Sequence, residues 1–199
     1  TYKRGIIMKQ AKLIKTMSYA AMCLALALIL PFLTAQIPEI GQALSPMHIP
    51  AFLCGFICGP IWGLVVGFIA PLLRSVLFTM PPMAAAIPMA FEMAMYGLSA
   101  GILYRLLPKK LPFLYVSLVG SMVCGRIVWG IVQLIMAVAK AGSFTFSAFI
   151  AGTVTGTIPG IICHIIIVPV VIFALQRARL MPDSAPTVAP AKSADKLSA

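Results

Sequence analysis

Apolar stretches long enough to cross a bilayer recur from about residue 16 to residue 176 of this chain, and they constrain its fold more than any motif does. A helix needs about twenty predominantly apolar residues to span the hydrocarbon core. One such run at the start would read as a cleaved signal; repetition along the whole length does not. Composition agrees: 61% of residues are hydrophobic and 10% charged, where a soluble domain carries roughly a quarter charged. Too few polar side chains are present to build a water-facing shell. Lipid is therefore the expected solvent, and the expected fold class is an all-α integral membrane bundle of about six helices.

The expected helices cover 16–33, 46–58, 61–80, 84–107, 112–139 and 148–176, divided by Pro31 and Pro38, Gly59-Pro60, Pro81-Pro82, the basic turn Pro108-Lys109-Lys110, and a polar loop with Gly142, Ser143 and Thr145. The second is short. At about 1.5 Å per residue it reaches only about 20 Å, so it is expected to fill the bilayer incompletely or to re-enter. This gives a basic N-terminal segment at 1–15, a six-helix transmembrane domain at 16–177, and a tail at 178–199. The tail is rich in Ala, Pro, Ser and Lys and is expected to be disordered. Met8-Lys9-Gln10 reads as a natural start, with 1–7 as an upstream extension.

The formal charge of +11 invites a nucleic-acid reading, but placement rejects it. Lys3, Arg4, Lys9, Lys12 and Lys15 precede the first apolar span, Arg105, Lys109 and Lys110 cluster at one turn, and Arg177 and Arg179 follow the last span. The loop at 34–45 holds Glu39 and no basic residue, and only Lys140 sits on that side. An even number of crossings puts the basic positions inside, so both termini are expected to be cytoplasmic.

Cys23, Cys54, Cys58, Cys124 and Cys163 all fall in apolar stretches without a Cys-x-x-Cys pair, so they are expected as packing residues rather than disulfides or metal ligands. Glycines recur four apart at Gly55/Gly59, Gly63/Gly67, Gly97/Gly101 and Gly152/Gly156/Gly160. Small residues at that spacing let helix backbones approach closely.

Ionizable groups inside a membrane cost about 2.5–3.5 kcal/mol each on insertion scales and call for a reason. Arg74, Glu92, Arg126 and His164 fall inside expected spans, with His48 at the outer end of the second. Helical rise puts Arg74 roughly 9 Å and Glu92 roughly 12 Å from the outer surface, with Arg126 and His164 about 20 Å down. They are expected to converge on a cavity open to the outside. Arg126, Trp129 and Gln133 form one stripe at i, i+3 and i+7, Glu92 and Tyr96 stand at i and i+4, and Thr153, Thr157 and His164 share a face. Two arginines against one glutamate leave a positive charge over, which a ligand carboxylate or phosphate would neutralise. The competing reading makes Glu92 and Arg126 an ion pair that locks two helices, with Arg74 snorkelling to the headgroups.

The segments Leu44-Ser45-Pro46-Met47-His48-Ile49-Pro50, Gly55-Phe56-Ile57-Cys58-Gly59-Pro60, Gly67-Phe68-Ile69-Ala70-Pro71-Leu72-Leu73 and Ala90-Phe91-Glu92 carry a resemblance. With the length and topology, they make residues 14–177 resemble the substrate-binding S components of energy-coupling factor (ECF) transporters. The resemblance implies a multi-pass protein of a prokaryotic plasma membrane that captures a vitamin or precursor from outside. Its pocket would be formed by helices 4 to 6 and the loop after helix 1. Delivery would run through a transmembrane coupling subunit and two ATPase subunits, the S component toppling to face the cytoplasm. The family's Ala-x-x-x-Ala pattern, which meets the coupling subunit, is matched by Ala21 and Ala25. Members that carry cobalt or nickel place Met-His near a free N-terminus; here Met47-His48 is internal, so no metal is expected.

No Walker A pattern is present, so ATP is expected to be used by partner subunits, with no cofactor in this chain. Neither H-E-x-x-H nor G-x-S-x-G occurs, and one membrane acid does not make a hydrolase, so no enzyme is expected. The expected substrate is small and anionic, pantothenate-like, bound by Arg74, Glu92, Tyr96, Arg126, Trp129, Gln133, His164 and His48. A neutral or weakly basic vitamin held by Glu92 and Tyr96 stays open. The alternative is a stand-alone secondary transporter, for which inverted repeats are not evident.

Overall fold

Several helix boundaries in this chain fall at proline, which lacks a backbone N–H, or at glycine, which admits a sharp turn of the backbone. The computed structural model describes residues 2–34, 45–108, 110–139 and 158–178. Within them lie six α-helices: α1 (Tyr2–Ile29, continued by the 3-10 turn Leu30–Thr34), α2 (His48–Cys58), α3 (Pro60–Phe78), α4 (Met83–Leu106), α5 (Leu111–Ala139) and α6 (Ile158–Arg177). Gly59 separates α2 from α3 with φ of 102°, a conformation that suits glycine. Its N–H donates to the Cys54 carbonyl at 3.2 Å, and Pro60 opens α3, where a missing N–H does no harm. Pro71, Pro88 and Pro169 lie inside helices, a tolerance common in membrane spans because neighbouring groups satisfy the freed carbonyls.

Among the described residues, five helices are long and apolar enough to cross a membrane: Gln10–Phe32, Pro60–Phe78, Met83–Leu106, Leu111–Ala139 and Pro159–Arg177. The short α2 is different. Its eleven residues are all buried and reach only about 16 Å. Apolar on every side, it needs neighbours rather than lipid. The long helices pack in the order α1, α3, α4, α5, α6, and α2 lies among them, against α1, α3, α4 and α6. The second helix, expected to be short, thus lies in the interior of the bundle. The first helix departs from expectation, beginning at Tyr2 rather than near residue 16. The Lys, Gln and Ala of that stretch are good helix formers, so the helix runs on past the apolar part.

Phe52 and Phe56 of α2 centre the core, with Tyr96 and Tyr104 of α4, Leu114 and Leu118 of α5, and Val168 and Ile172 of α6. Large apolar residues such as Ile29, Ile131, Ile135 and Ile166 face outward, as lipid requires. The small residues lie where helices meet. A Cβ on Gly63 of α3 would lie 2.6 Å from the Gly97 carbonyl oxygen of α4 and 2.7 Å from the Gly55 Cα of α2, so three backbones meet there. Gly160 is buried at the start of α6, whereas Gly152, Gly156, Thr153 and Thr157 lie outside the described residues.

Candidate functional site

Glu92 sits on α4 with 3% exposure, and side chains of three helices gather around it. One turn on, the Tyr96 hydroxyl donates to Glu92 Oε1 at 2.5 Å. Arg126 of α5 places Nη1 2.9 Å from the same oxygen. The other oxygen, Oε2, lies 4.0 Å from His48 Nε2 at the start of α2. The close approach of α5 depends on Gly125, because a Cβ there would strike the Tyr96 ring and come 3.1 Å from the Glu92 carbonyl oxygen. The residue beside Arg126 is what lets Arg126 reach its partner.

A second polar element joins α2 to α6. The Ser45 carbonyl lies 3.1 Å from His48 Nδ1 and 3.2 Å from His164 Nε2. Ser45 itself is left-handed, with φ of 44°. The rings pack as a cluster: Phe52 stacks on Tyr96 at 4.8 Å between centroids, and His48 stands 5.5 Å from Tyr96 and 5.9 Å from His164.

These groups form one side of a cavity of about 410 Å³, in the gap between α2 and α5. Ser45, His48, Tyr96, Arg126 and His164 give it polar groups. Val119, Met122, Val123 and Ile127 of α5, with Gly160, Ile161 and Ile165 of α6 and Phe52 of α2, give it an apolar wall. An apolar cleft with a few convergent polar groups, within roughly 300–1,000 Å³, is the usual form of a small-molecule site.

Of the residues singled out in the sequence, His48, Glu92, Tyr96, Arg126 and His164 come together. Arg74 does not. It is 2% exposed on α3 and donates to the Leu28 carbonyl near the end of α1, with Phe32 and Phe78 rings 4.8 and 5.4 Å from its guanidinium carbon. A cation on the last carbonyls of a helix, shielded by two rings, has a structural explanation of its own. The expected surplus of positive charge at the cavity is therefore corrected: Arg126 and Glu92 balance, and Arg74 is elsewhere. Trp129 and Gln133 are half-buried on α5 but do not line the cavity. The lining of α5 runs from Val119 to Ile127, so the cavity extends from Arg126 toward the start of that helix, away from both.

Contributors that were not anticipated include Ser45, Phe52 and Gly125, besides the apolar wall. Phe52 stands one turn from His48 on the same helix, a usable signal. Ser45 acts through its backbone carbonyl, which no residue type announces. On the outside of α1, Ala21 and Ala25 are exposed, while Ala20 and Ala27 face the core.

A protein-family model described as "ECF transporter, substrate-specific component" matches residues 15–172, which include every residue of this site. No curated protein and no solved structure matches the chain.

Proposed function

We propose that this chain, which belongs to the family of ECF transporter substrate-specific components, captures a small carboxylate vitamin or precursor, pantothenate-like, in the cavity between α2 and α5. It is a multi-pass membrane protein and the substrate-specific part of a transporter. The observation that carries the finer reading is the single guanidinium, Arg126, among the residues lining a cavity of about 410 Å³. Glu92 takes Nη1 of that guanidinium, and a guanidinium has five N–H donors in a fork that suits a carboxylate. The apolar wall then receives the rest of the molecule, and Tyr96 and the imidazoles orient it.

In this reading Glu92 is a positioning residue that holds Arg126 and Tyr96 in place. Both termini and the turn at 108–110 face the cytoplasm of a prokaryotic cell, following the basic residues. Ala21 and Ala25, exposed one turn apart on α1, let a transmembrane coupling subunit approach closely. Two ATPase subunits supply the energy, and this chain holds no cofactor.

Titration of a panel of B vitamins and their precursors into the detergent-purified chain, followed by calorimetry, tests the reading. One carboxylate compound is expected to bind, and Arg126→Ala to weaken it about 100-fold. A panel with no binder, or affinity that survives Arg126→Ala, would remove Arg126 and this cavity from the function. Uptake by cells lacking any ATPase partner would instead favour a stand-alone secondary transporter.

Arg74→Leu serves as the converse test. It is expected to lower the melting temperature by a few degrees, since its hold on the carbonyl and the two rings is worth about 1 kcal/mol, while affinity stays within about twofold. Lost binding with unchanged melting would return Arg74 to the site.

A further inference from the structure

His48 is 3% exposed, and its two ring nitrogens are in unequal positions. Nδ1 faces the Ser45 carbonyl at 3.1 Å. A carbonyl only accepts, so Nδ1 carries the hydrogen, and in a neutral imidazole Nε2 is then a bare lone pair. The same oxygen faces Nε2 of His164 at 3.2 Å, which assigns that ring its hydrogen on Nε2. The Ser45 carbonyl, which also accepts the His48 backbone N–H at 3.0 Å, thereby faces a ring nitrogen of both imidazoles.

Among the described residues, Nε2 of His48 has no hydrogen-bond partner. The atom is buried without a hydrogen bond, and its residue lines the cavity. The nearest oxygen, Glu92 Oε2, is 4.0 Å away, beyond hydrogen-bond reach, and when ionised it is itself an acceptor. Tyr96 has committed its hydroxyl to Glu92 Oε1, and Arg126 approaches that same oxygen. His164 has spent one ring hydrogen on Ser45. Among the described residues, no group of α4, α5 or α6 makes a hydrogen bond to His48 Nε2. Buried acceptors in proteins nearly always have a partner, so this one points to a group that arrives.

We infer that the bound molecule supplies the donor: a hydroxyl or N–H of the ligand donates to His48 Nε2, so the substrate is a hydroxy- or amido-acid rather than a plain carboxylic acid. The inference rests on the proposed capture of an organic acid in this cavity and adds the second polar group the acid must carry. Arg126 and His48 lie nearest to different oxygens of one carboxylate, Glu92, at 2.9 and 4.0 Å. The acid and the donor of the ligand therefore lie close together at its polar end. Discrimination of this kind is strong, because an analogue without the donor leaves the buried acceptor unpaired.

The test uses the full chain in detergent and matched acids: pantothenate, the same molecule with its hydroxyls methylated, the same molecule with its amide nitrogen methylated, and octanoate, which has no donor. Removal of the donor that meets His48 is expected to weaken binding by about 100-fold, and octanoate to bind no better than that. His48→Asn keeps a donor near the position of Nδ1 but has no acceptor at Nε2. It should weaken the parent acid at least about tenfold and leave the donor-free analogue unchanged, whereas His48→Gln, which returns an amide oxygen, should recover most of the loss. If His48→Asn fails to fold, the wild-type comparison of the acids decides alone. Equal affinity for octanoate and pantothenate, or for both methylated forms and the parent, overturns the inference and leaves acid capture standing. A better fit for the methylated forms also overturns it, showing that Nε2 carries a proton toward Glu92 and donates to the ligand. If none of the acids binds while a neutral or cationic vitamin does, the organic-acid reading falls, and this inference with it.

Discussion

Gly97→Leu is expected to leave little folded protein. A Cβ at Gly97 would lie 2.7 Å from the Gly63 Cα of α3, and one at Gly101 would lie 2.6 Å from the Pro60 backbone nitrogen. Both obstacles are main-chain atoms, which have no rotamer to change. In soluble cores, where side chains can shift, overpacking costs about 1–3 kcal/mol; here α3 and α4 must separate as bodies, and the cost should exceed about 3 kcal/mol. Lipid gives helices no hydrophobic reason to associate, so close packing of α3 on α4 is a large part of what holds them together. The same helix carries Glu92 and Tyr96, and the site goes with the interface. Size-exclusion chromatography after detergent extraction should show a monodisperse peak below about one tenth of wild type. Gly120→Ala is the control, because the nearest obstacle there is the Leu103 Cδ1 tip at 3.1 Å, and its yield should match wild type. A normal peak from Gly97→Leu would show that the approach of α3 to α4 does not hold the bundle.

The glycine stripes were legible because four-residue spacing marks one helix face whatever the fold. Which stripes meet was not, since partners are set by the whole bundle. Glu92, Tyr96 and Arg126 were legible for a similar reason: polar groups buried in apolar helices must find one another, and few were available. Arg74 misled because helical rise gives height along the bundle but not rotation about it. Its direction is fixed by the packing of α3 on α1, which places it over the Leu28 carbonyl. Trp129 and Gln133 share the stripe of Arg126, but a stripe does not say in which direction along it a cavity opens. The wall of that cavity is Val119 to Ile127, residues that read as ordinary lipid-facing or core positions. For α2, the bracketing Pro46 and Gly59-Pro60 limited the length correctly; its burial on every side depended on neighbours no local pattern names.

The Glu92–Arg126 pair invites one more test, because a buried ion pair can be a lock, a recognition device or both. Glu92→Gln leaves the Arg126 charge unpaired, and Arg126→Gln leaves the Glu92 carboxylate unpaired at 3% exposure. Arg126→Gln is expected to cost about 3 kcal/mol of stability, since it strands a buried carboxylate, and Glu92→Gln somewhat less, since Arg126 keeps 17% exposure and faces the cavity. The double change strands no charge. Two amides can hydrogen-bond to each other, and Tyr96 keeps an oxygen to donate to. The double variant should melt within about 1 kcal/mol of wild type, far from the sum of the singles. Ligand affinity should not follow stability back: without the guanidinium the double variant should bind the acid about 100-fold more weakly. Melting of the double variant at the sum of the singles would mean that the two charges do not stabilise each other. Recovery of both stability and affinity would make the pair a lock between α4 and α5 alone, and recognition would then have to rest on the imidazoles and Tyr96.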